Sequence, residues 1–252
     1  FTNTRAVTAL LYDGSIKCWG RPVYGGGADL TTITNVTNVF ANNYAFCSLD
    51  NDGTIHCWGL SSKGGSTPTN KTGYRNIFSN REAFCGVKKD DSVECWGNSL
   101  KGGNTPQETK KTFDRSTILM NDYGVCLIKK DNTIVSYGRD DSTYLLRYNT
   151  NVSSQTNIKR VVYNYYAFAA LKTDGTVFTW GNSSSGGDSS SVSNQLINVI
   201  DIVASKNSFI AIRSDNKVVG WGNTNQLKDL PSEIENIKEV TINNQNYIFL
   251  KE

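Results

Sequence analysis

The sequence predicts an all-β fold, a seven-bladed β-propeller built of repeats about 40 residues long, the last blade incomplete. Three observations predict it. A core of apolar stretch, Asp-Gly-like turn, β-branched stretch and Trp-Gly recurs six times, as ALLYDGSIKCWG (9–20), FCSLDNDGTIHCWG (46–59), FCGVKKDDSVECWG (84–97), VCLIKKDNTIVSYG (125–138), FAALKTDGTVFTWG (168–181) and FIAIRSDNKVVGWG (209–222). The closing YIFLKE (247–252) repeats only the opening stretch, which begins a seventh copy. The marker aromatics Trp19, Trp58, Trp96, Tyr137, Trp180 and Trp221 are spaced 39, 38, 41, 43 and 41 apart, and helical periodicity is absent. Uniform spacing argues for one domain over residues 1–252, six full repeats and a partial seventh; a chain that opens and closes inside a repeat reads as a piece of a longer protein.

Residues 35–68 show how one repeat is built. NVTNVFAN is rich in Val and Phe and alternates loosely, as a strand does. Asn42 and Asn43 follow, with Asn80, Asn121 and Asn164 at the same place in later copies. Asn tolerates left-handed backbone, so a tight turn is expected there. YAFCSL is the second strand, Asp52-Gly53 the hairpin turn and TIHCWG the third strand. LSSKGGSTP is a loop with room for a short irregular outer strand. Each blade is a small sheet that cannot hide both faces alone, so blades must stack. The marker Trp is read as filler between neighbouring blades rather than a ligand platform. The Gly after it (Gly20, Gly59, Gly97, Gly138, Gly181, Gly222) is read as a backbone requirement rather than a phosphate cradle.

Composition narrows the function classes. The net charge of +3 arises from 26 basic and 23 acidic residues with no Lys/Arg block, which gives nucleic acid no support as a partner. No apolar run approaches the length of a membrane span, and no cofactor-binding loop is present. The sequons at Asn35, Asn70, Asn151 and Asn182 are about as many as chance gives among 28 asparagines.

Cys47 and Cys57 are ten residues apart, and so are Cys85 and Cys95. A hairpin folded about Asp52 sets Cys47 opposite Cys57, and one about Asp90 sets Cys85 opposite Cys95. Opposed residues in a non-hydrogen-bonded pair have Cα atoms about 4.5 Å apart, within disulfide reach. The other hairpins oppose Thr8 to Cys18, Cys126 to Ser136, Ala169 to Thr179 and Ile210 to Gly220. Zinc is the rival reading, but it wants close Cys/His clusters, and the lone histidine, His56, alternates to the face away from Cys57. Two bridges imply an oxidising compartment, extracellular or at the cell surface. Cys18 and Cys126 are left over, and a bridge between them is not expected.

The pattern FCSLDNDGTIHCWG, followed by GG and a Pro, resembles the repeats of the regulator of chromosome condensation family. It is most similar to the short-repeat form found in secreted and surface proteins, and in repeat length to the propeller-type β-lactamase inhibitor protein. The resemblance covers nearly the whole chain and implies a closed seven-bladed ring. It also implies a wide choice of roles, from exchange factor for a small GTPase to enzyme inhibitor to receptor ectodomain, so fold does not deliver function. The exchange-factor branch has longer repeats and an inserted wedge, and nothing is inserted here. Repeat four departs from the pattern, with Tyr137 for Trp and RDDSTYLLRYN in place of a GG loop.

Catalysis needs a base, nucleophile or metal set in a pocket. One histidine and no metal cluster leave hydrolytic and acid–base schemes little to use, and the pairs Asp90-Asp91 and Asp140-Asp141 fall in turns. A binding surface remains. The position three before the second-strand cysteine reads Arg5, Tyr44, Glu82, Tyr123, Tyr166 and Asn207, with Tyr165 adjacent. Tyrosine offers a large contact area with a polar tip, so Tyr44, Tyr123, Tyr165 and Tyr166 are the candidate binding residues; plugging of turns between blades is the alternative. The chain is therefore expected to be a non-catalytic protein-interaction or structural module. A secreted enzyme inhibitor, an intracellular exchange factor and a carbohydrate-binding lectin are the alternatives.

Overall fold

A computed structural model of the chain describes residues 1–105, 113–139, 150–227, 230, 237–243 and 246–251. Asp140-Asp141 and Glu252 lie outside the described residues. Two compact units compose the chain, one of Phe1–Lys130 with Tyr137–Arg139, the other of Asp131–Ser136 with Asp140–Glu252.

In the first unit, β1 (Ala6–Leu10) pairs with β2 (Ile16–Gly20). A three-stranded sheet follows from β3 (Val36–Ala41), β4 (Ala45–Asp50) and β5 (Ile55–Gly59), and another from β6 (Tyr74–Ser79), β7 (Ala83–Lys88) and β8 (Val93–Gly97). β9 (Phe113–Asn121) then pairs with β10 (Gly124–Lys129); β11 (Ile134–Gly138), the third strand of the fourth repeat, has its first three residues in the second unit and its last two in the first. The second unit holds the sheet of β12 (Ile158–Tyr163), β13 (Ala167–Lys172) and β14 (Val177–Gly181), the sheet of β15 (Val199–Ala204), β16 (Ser208–Arg213) and β17 (Val218–Gly222), and the pair β18 (Ile237–Asn243) with β19 (Asn246–Lys251). Seven antiparallel blade sheets result, the all-β propeller architecture that the repeats predict. The first sheet carries the second and third strands of a repeat; the last carries the first and second.

Burial explains why the strands read as they do. In β4, β7, β10, β13 and β16 every residue but the last is buried, so a continuous apolar run is required rather than an alternating one. The first strands bury their first and fourth residues instead. Their register shifts between Val36 and Asn38, Tyr74 and Asn76, Ile158 and Arg160, and Val199 and Asp201. This bulge turns period two into period three and is why NVTNVFAN alternates only loosely.

The hairpin registers oppose Thr8 to Cys18, Cys47 to Cys57, Cys85 to Cys95, Ala169 to Thr179 and Ile210 to Gly220. Cys47 is bonded to Cys57 and Cys85 to Cys95, each pair with Cα atoms 4.0 Å apart, while Cys18 and Cys126 are free thiols. His56 faces Ser48 across the hairpin, its Nε2 3.4 Å from an Asp50 carboxylate oxygen. Four of the five marker Trp residues stack on the aromatic opposite, Trp58 on Phe46 at 5.6 Å, Trp96 on Phe84 at 5.8 Å, Trp180 on Phe168 at 5.2 Å and Trp221 on Phe209 at 5.4 Å. These stacks join cores shared by successive sheets: Phe46 and Trp58 pack with Ala6, Ile16 and Val36, and Phe84 and Trp96 with Ala45, Cys47 and Ile55. Tyr137 substitutes in kind, buried with its hydroxyl 2.9 Å from the Cys95 sulfur. Trp19 departs from the expectation. Its opposed residue is Val7, not Phe, and its side chain is 54 % exposed.

The glycine after the marker is fixed by sterics. Gly59 has φ +113°, and a Cβ there would lie 2.7 Å from the Tyr44 carbonyl oxygen. Gly65, the second of the GG pair, packs on it so closely that its own Cβ would come within 2.4 Å of the Gly59 carbonyl carbon. The loop forms 3-10 turns (Ser61–Lys63, Ser99–Lys101) rather than an outer strand. Thr67 Oγ1 accepts from the Cys57 backbone N–H at 2.8 Å, and Thr105 does the same for Cys95, so side chains cap the exposed edge that a fourth strand would cover.

Candidate functional site

The turns between first and second strands work differently from the sequence expectation. Left-handed backbone is found at Asn35, Asp91, Asn132, Asn157, Asn198 and Asn216, and at none of Asn42, Asn80, Asn121 and Asn164. These four are retained for their side chains. Asn42 Oδ1 accepts from the backbone N–H groups of Tyr44 (2.8 Å) and Ala45 (2.9 Å), and its Nδ2 donates to the Lys63 carbonyl (2.7 Å). Asn80 does the same for Glu82, Ala83 and the Lys101 carbonyl, and Asn164 for Tyr166, Ala167 and the Ser185 carbonyl. Asn121 accepts from Tyr123 and Gly124. Asn3, which the sequence pattern did not single out, repeats the bracket with Arg5, Ala6 and the Tyr24 carbonyl. In the sixth repeat Ser205 stands at this place, and the Gln226 amide oxygen accepts from the hydroxyls of Ser205 and Ser208 at 2.9 Å each.

The brackets of Asn3, Asn42 and Asn80 set the residue two beyond the Asn beside the residue just before the GG pair. In the first unit this makes a series of contacts at one end of the blades. The Arg5 guanidinium lies 5.6 Å from the Tyr24 ring centre, and Tyr24 stacks on Tyr44 at 5.7 Å with planes 28° apart. Lys63 Nζ is 5.9 Å from the Tyr44 ring and forms an ion pair with Glu82, which also accepts from Asn98 at 2.6 Å. Lys101 Nζ sits 3.2 Å from the centre of the Tyr123 ring, with the Arg139 guanidinium at 5.5 Å from the same ring. Arg81 reaches Asp122 at 3.5 Å.

Charge in this series is partly withdrawn from water. Burial alone would raise the Glu82 carboxyl, but hydrogen bonds from Lys63 and Asn98 outweigh it and hold the group below its usual range. Burial pushes the Asp122 carboxyl up against the pull of Arg81 and Lys101. Burial also brings the Lys101 ammonium down to about 8, a fall that Glu82 opposes and Arg139 reinforces.

Tyr44 and Tyr123 therefore stand within one aromatic and cationic series. In the second unit Tyr165, 50 % exposed, meets the Tyr166 ring edge-on at 6.2 Å, with Lys206 Nζ 5.7 Å from the Tyr165 ring. Tyr24, Lys63, Lys101 and Arg139 were missed from sequence, although Tyr24, Lys63 and Lys101 each directly precede a Gly-Gly pair. The carboxylates in the hairpin turns are engaged locally: Asp90 accepts from the Ser92 backbone and hydroxyl, and Asp91 pairs with Arg75 and Lys130. Among the described residues no group of three His, Cys, Asp or Glu side chains is placed to hold a metal ion, and no helix is long and apolar enough to cross a membrane.

Two outcomes follow from this geometry. Asn42→Ala strands one buried N–H group, one half-buried N–H group and one half-buried carbonyl and should lower stability by about 1–3 kcal/mol, whereas Asn51→Ala in an exposed hairpin turn should change it by less than about 0.5 kcal/mol; urea unfolding of both variants checks this. Lys101, with its proton loosened, should react with an amine-directed succinimidyl ester faster than the exposed Lys89 and Lys130 near neutral pH, its rate levelling off above about pH 8. Peptide mass mapping of briefly labelled protein reads the order, and equal labelling of all three would contradict it.

Residues 158–186, the whole fifth blade sheet and its GG loop, match the family model described as regulator of chromosome condensation (RCC1) repeat. No curated protein matches the chain. Among solved structures, the CRINKLY WD40 ectodomain of the Arabidopsis thaliana receptor kinase ACR4 is 19% identical over 87% of this chain and 77% of its own, with a TM-score of 0.44. The ectodomain of the Physcomitrella patens receptor kinase CR4 is 15% identical over 96% of this chain and 66% of its own, with a TM-score of 0.48. Prp20p of Saccharomyces cerevisiae, in a structure described with its binding properties to Gsp1p and histones, is 14% identical over 99% of this chain and 76% of its own, with a TM-score of 0.47. Residues 158–186 thus form a repeat of the regulator of chromosome condensation (RCC1) type, and the marker spacing and GG loops of the other sheets are similar to it.

Proposed function

We propose that this propeller is a non-catalytic protein-interaction module of the cell exterior or surface, and that it binds its partner through the end of the blades where the Asn-bracketed turns meet the GG loops. The observation that carries the reading is the series Arg5, Tyr24, Tyr44, Lys63 and Glu82, in which ring and charge alternate through direct contacts. Such groups combine contact area with polar tips, the composition of protein interfaces, and they lie in turns whose backbone is already satisfied by the Asn amides. The exterior assignment is supported by the two cysteine pairs bonded within their hairpins. An enzyme inhibitor is one specific form of the same activity, differing only in the partner.

Tyr44→Ala and Tyr123→Ala, with Tyr166→Ala for the second unit, test the face. Partner capture from native extract should weaken by about 1–3 kcal/mol for the first two, with melting temperatures close to that of the parent chain. Sharp loss of melting temperature with unchanged capture would make these residues blade plugs. Peptide mapping without reductant should recover Cys47 joined to Cys57 and Cys85 joined to Cys95, with Cys18 and Cys126 alkylated after unfolding. Free thiols at all six positions would remove the exterior assignment.

A further inference from the structure

The cations of this face are not equivalent. Lys63 is neutralised by Glu82 and Arg81 by Asp122. Lys101 is half-buried, rests on the face of the Tyr123 ring, and has no carboxylate within ion-pair distance among the described residues. Arg139 lies against the same ring, so two cations share one aromatic platform. A cation–π contact returns only part of the hydration an ammonium loses on burial, and an anion within reach restores the rest. Glu82, the carboxylate that acts most strongly on Lys101, is already held by Lys63 and Asn98.

On the reading that this face binds protein, we propose that the Tyr123 platform is a carboxylate site, in which an acidic segment of the partner places a Glu or Asp side chain against Lys101. Charge complementarity selects the occupant. Among the described residues the series holds Arg5, Lys63, Arg81 and Lys101 against Glu82 and Asp122, an excess of cations that favours an acidic chain. A nucleic acid is disfavoured by the same two carboxylates. They stand among the cations, where a continuous row of phosphates would meet them, whereas carboxylates spaced along a peptide bypass them. The lowered proton affinity of Lys101 fits an ammonium without a paired counter-ion, and among the described residues the charged groups acting on it are Glu82, Asp122, Arg81 and Arg139, with the Tyr123 ring beneath it.

The test uses the full chain and a fluorescein-labelled oligoglutamate peptide, read by fluorescence anisotropy at low salt. Lys101→Gln should weaken binding about tenfold, Lys101→Arg should retain it, and Lys130→Gln, in a hairpin turn beside Asp91, should leave it unchanged. Binding to the parent chain should fall as pH rises through about 8, because only the protonated ammonium pairs with a carboxylate, and Lys101→Arg should abolish that fall. Should Lys101→Gln fail to fold, as circular dichroism would show, the pH course of the parent chain decides: a flat profile across that range overturns the proposal. Equal binding by Lys101→Gln and parent overturns it, and so does oligothymidylate bound as tightly and lost to the same degree on Lys101→Gln. Partner capture that depends on Tyr44 without any oligoglutamate binding leaves the face intact and removes only its acidic specificity, whereas loss of both removes the face.

Discussion

A single turn asparagine ties the first-to-second-strand turn to the GG loop in most of the repeats. A side chain of that length, buried at Asn42 and Asn164 and half-buried at Asn3 and Asn80, satisfies two backbone N–H groups in its own turn and reaches the carbonyl that closes the 3-10 loop. Three backbone groups that would otherwise lack partners are settled by one residue. The sixth repeat shows the constraint from the other side. With Ser205 too short to span the gap, Gln226 supplies the acceptor from the loop, and the same two segments stay joined. The GG pair belongs to this arrangement, since only a loop pressed against Gly59 brings the Lys63 carbonyl within reach of Asn42.

Because the bracket is made by backbone groups and one amide, the side chains beside it are free to vary. The residue after the turn and the residue before GG read Arg5 with Tyr24, Tyr44 with Lys63 and Glu82 with Lys101 in the first three repeats, all aromatic or charged. The fifth and sixth read Tyr166 with Ser185 and Asn207 with Gln226, neither carrying charge. The scaffold is thus the same while the chemistry is concentrated in the first unit, which is how a repeat fold can present one local specificity on uniform supports.

The period, the Asp-Gly turns and the alternation about them were sufficient to read strands, hairpin registers and sheet number from the sequence, since each is a local rule applied six times over. The turn asparagines were legible as important but not for the right reason. A left-handed backbone and a bridging amide both favour Asn, and only the distance to a carbonyl in the following loop separates them. Of the side-chain-bearing residues that do take left-handed backbone, Asp91, Asn132 and Asn216 sit in the hairpin turns, where other repeats have Gly14 or Gly53, and Asn35, Asn157 and Asn198 stand directly before first strands. Tyr44 and Tyr123 could be found because they recur at one position. Tyr24, Lys63 and Lys101 share a position too, but differ in type, and their place on the face follows from a hydrogen bond that no local pattern encodes. Trp19 was misread for a related reason, as the marker carries no sign of whether a Phe will face it.

The energetics assign different work to the two kinds of contact. Burying and stacking Trp58 on Phe46, or Trp221 on Phe209, is worth about 2–3 kcal/mol each and joins sheet to sheet inside a unit. An exposed or half-exposed ion pair such as Arg81 with Asp122 contributes about 0–1 kcal/mol, too little to hold blades together. The charges of the face are therefore not needed for the fold, and their arrangement is instead what a partner would meet. Lys101 stands between the two cases. Its ammonium is withdrawn from water far enough to loosen its proton, yet it gains no ion pair within the described chain, so the fold tolerates at this one position a charge that a ligand carboxylate would stabilise.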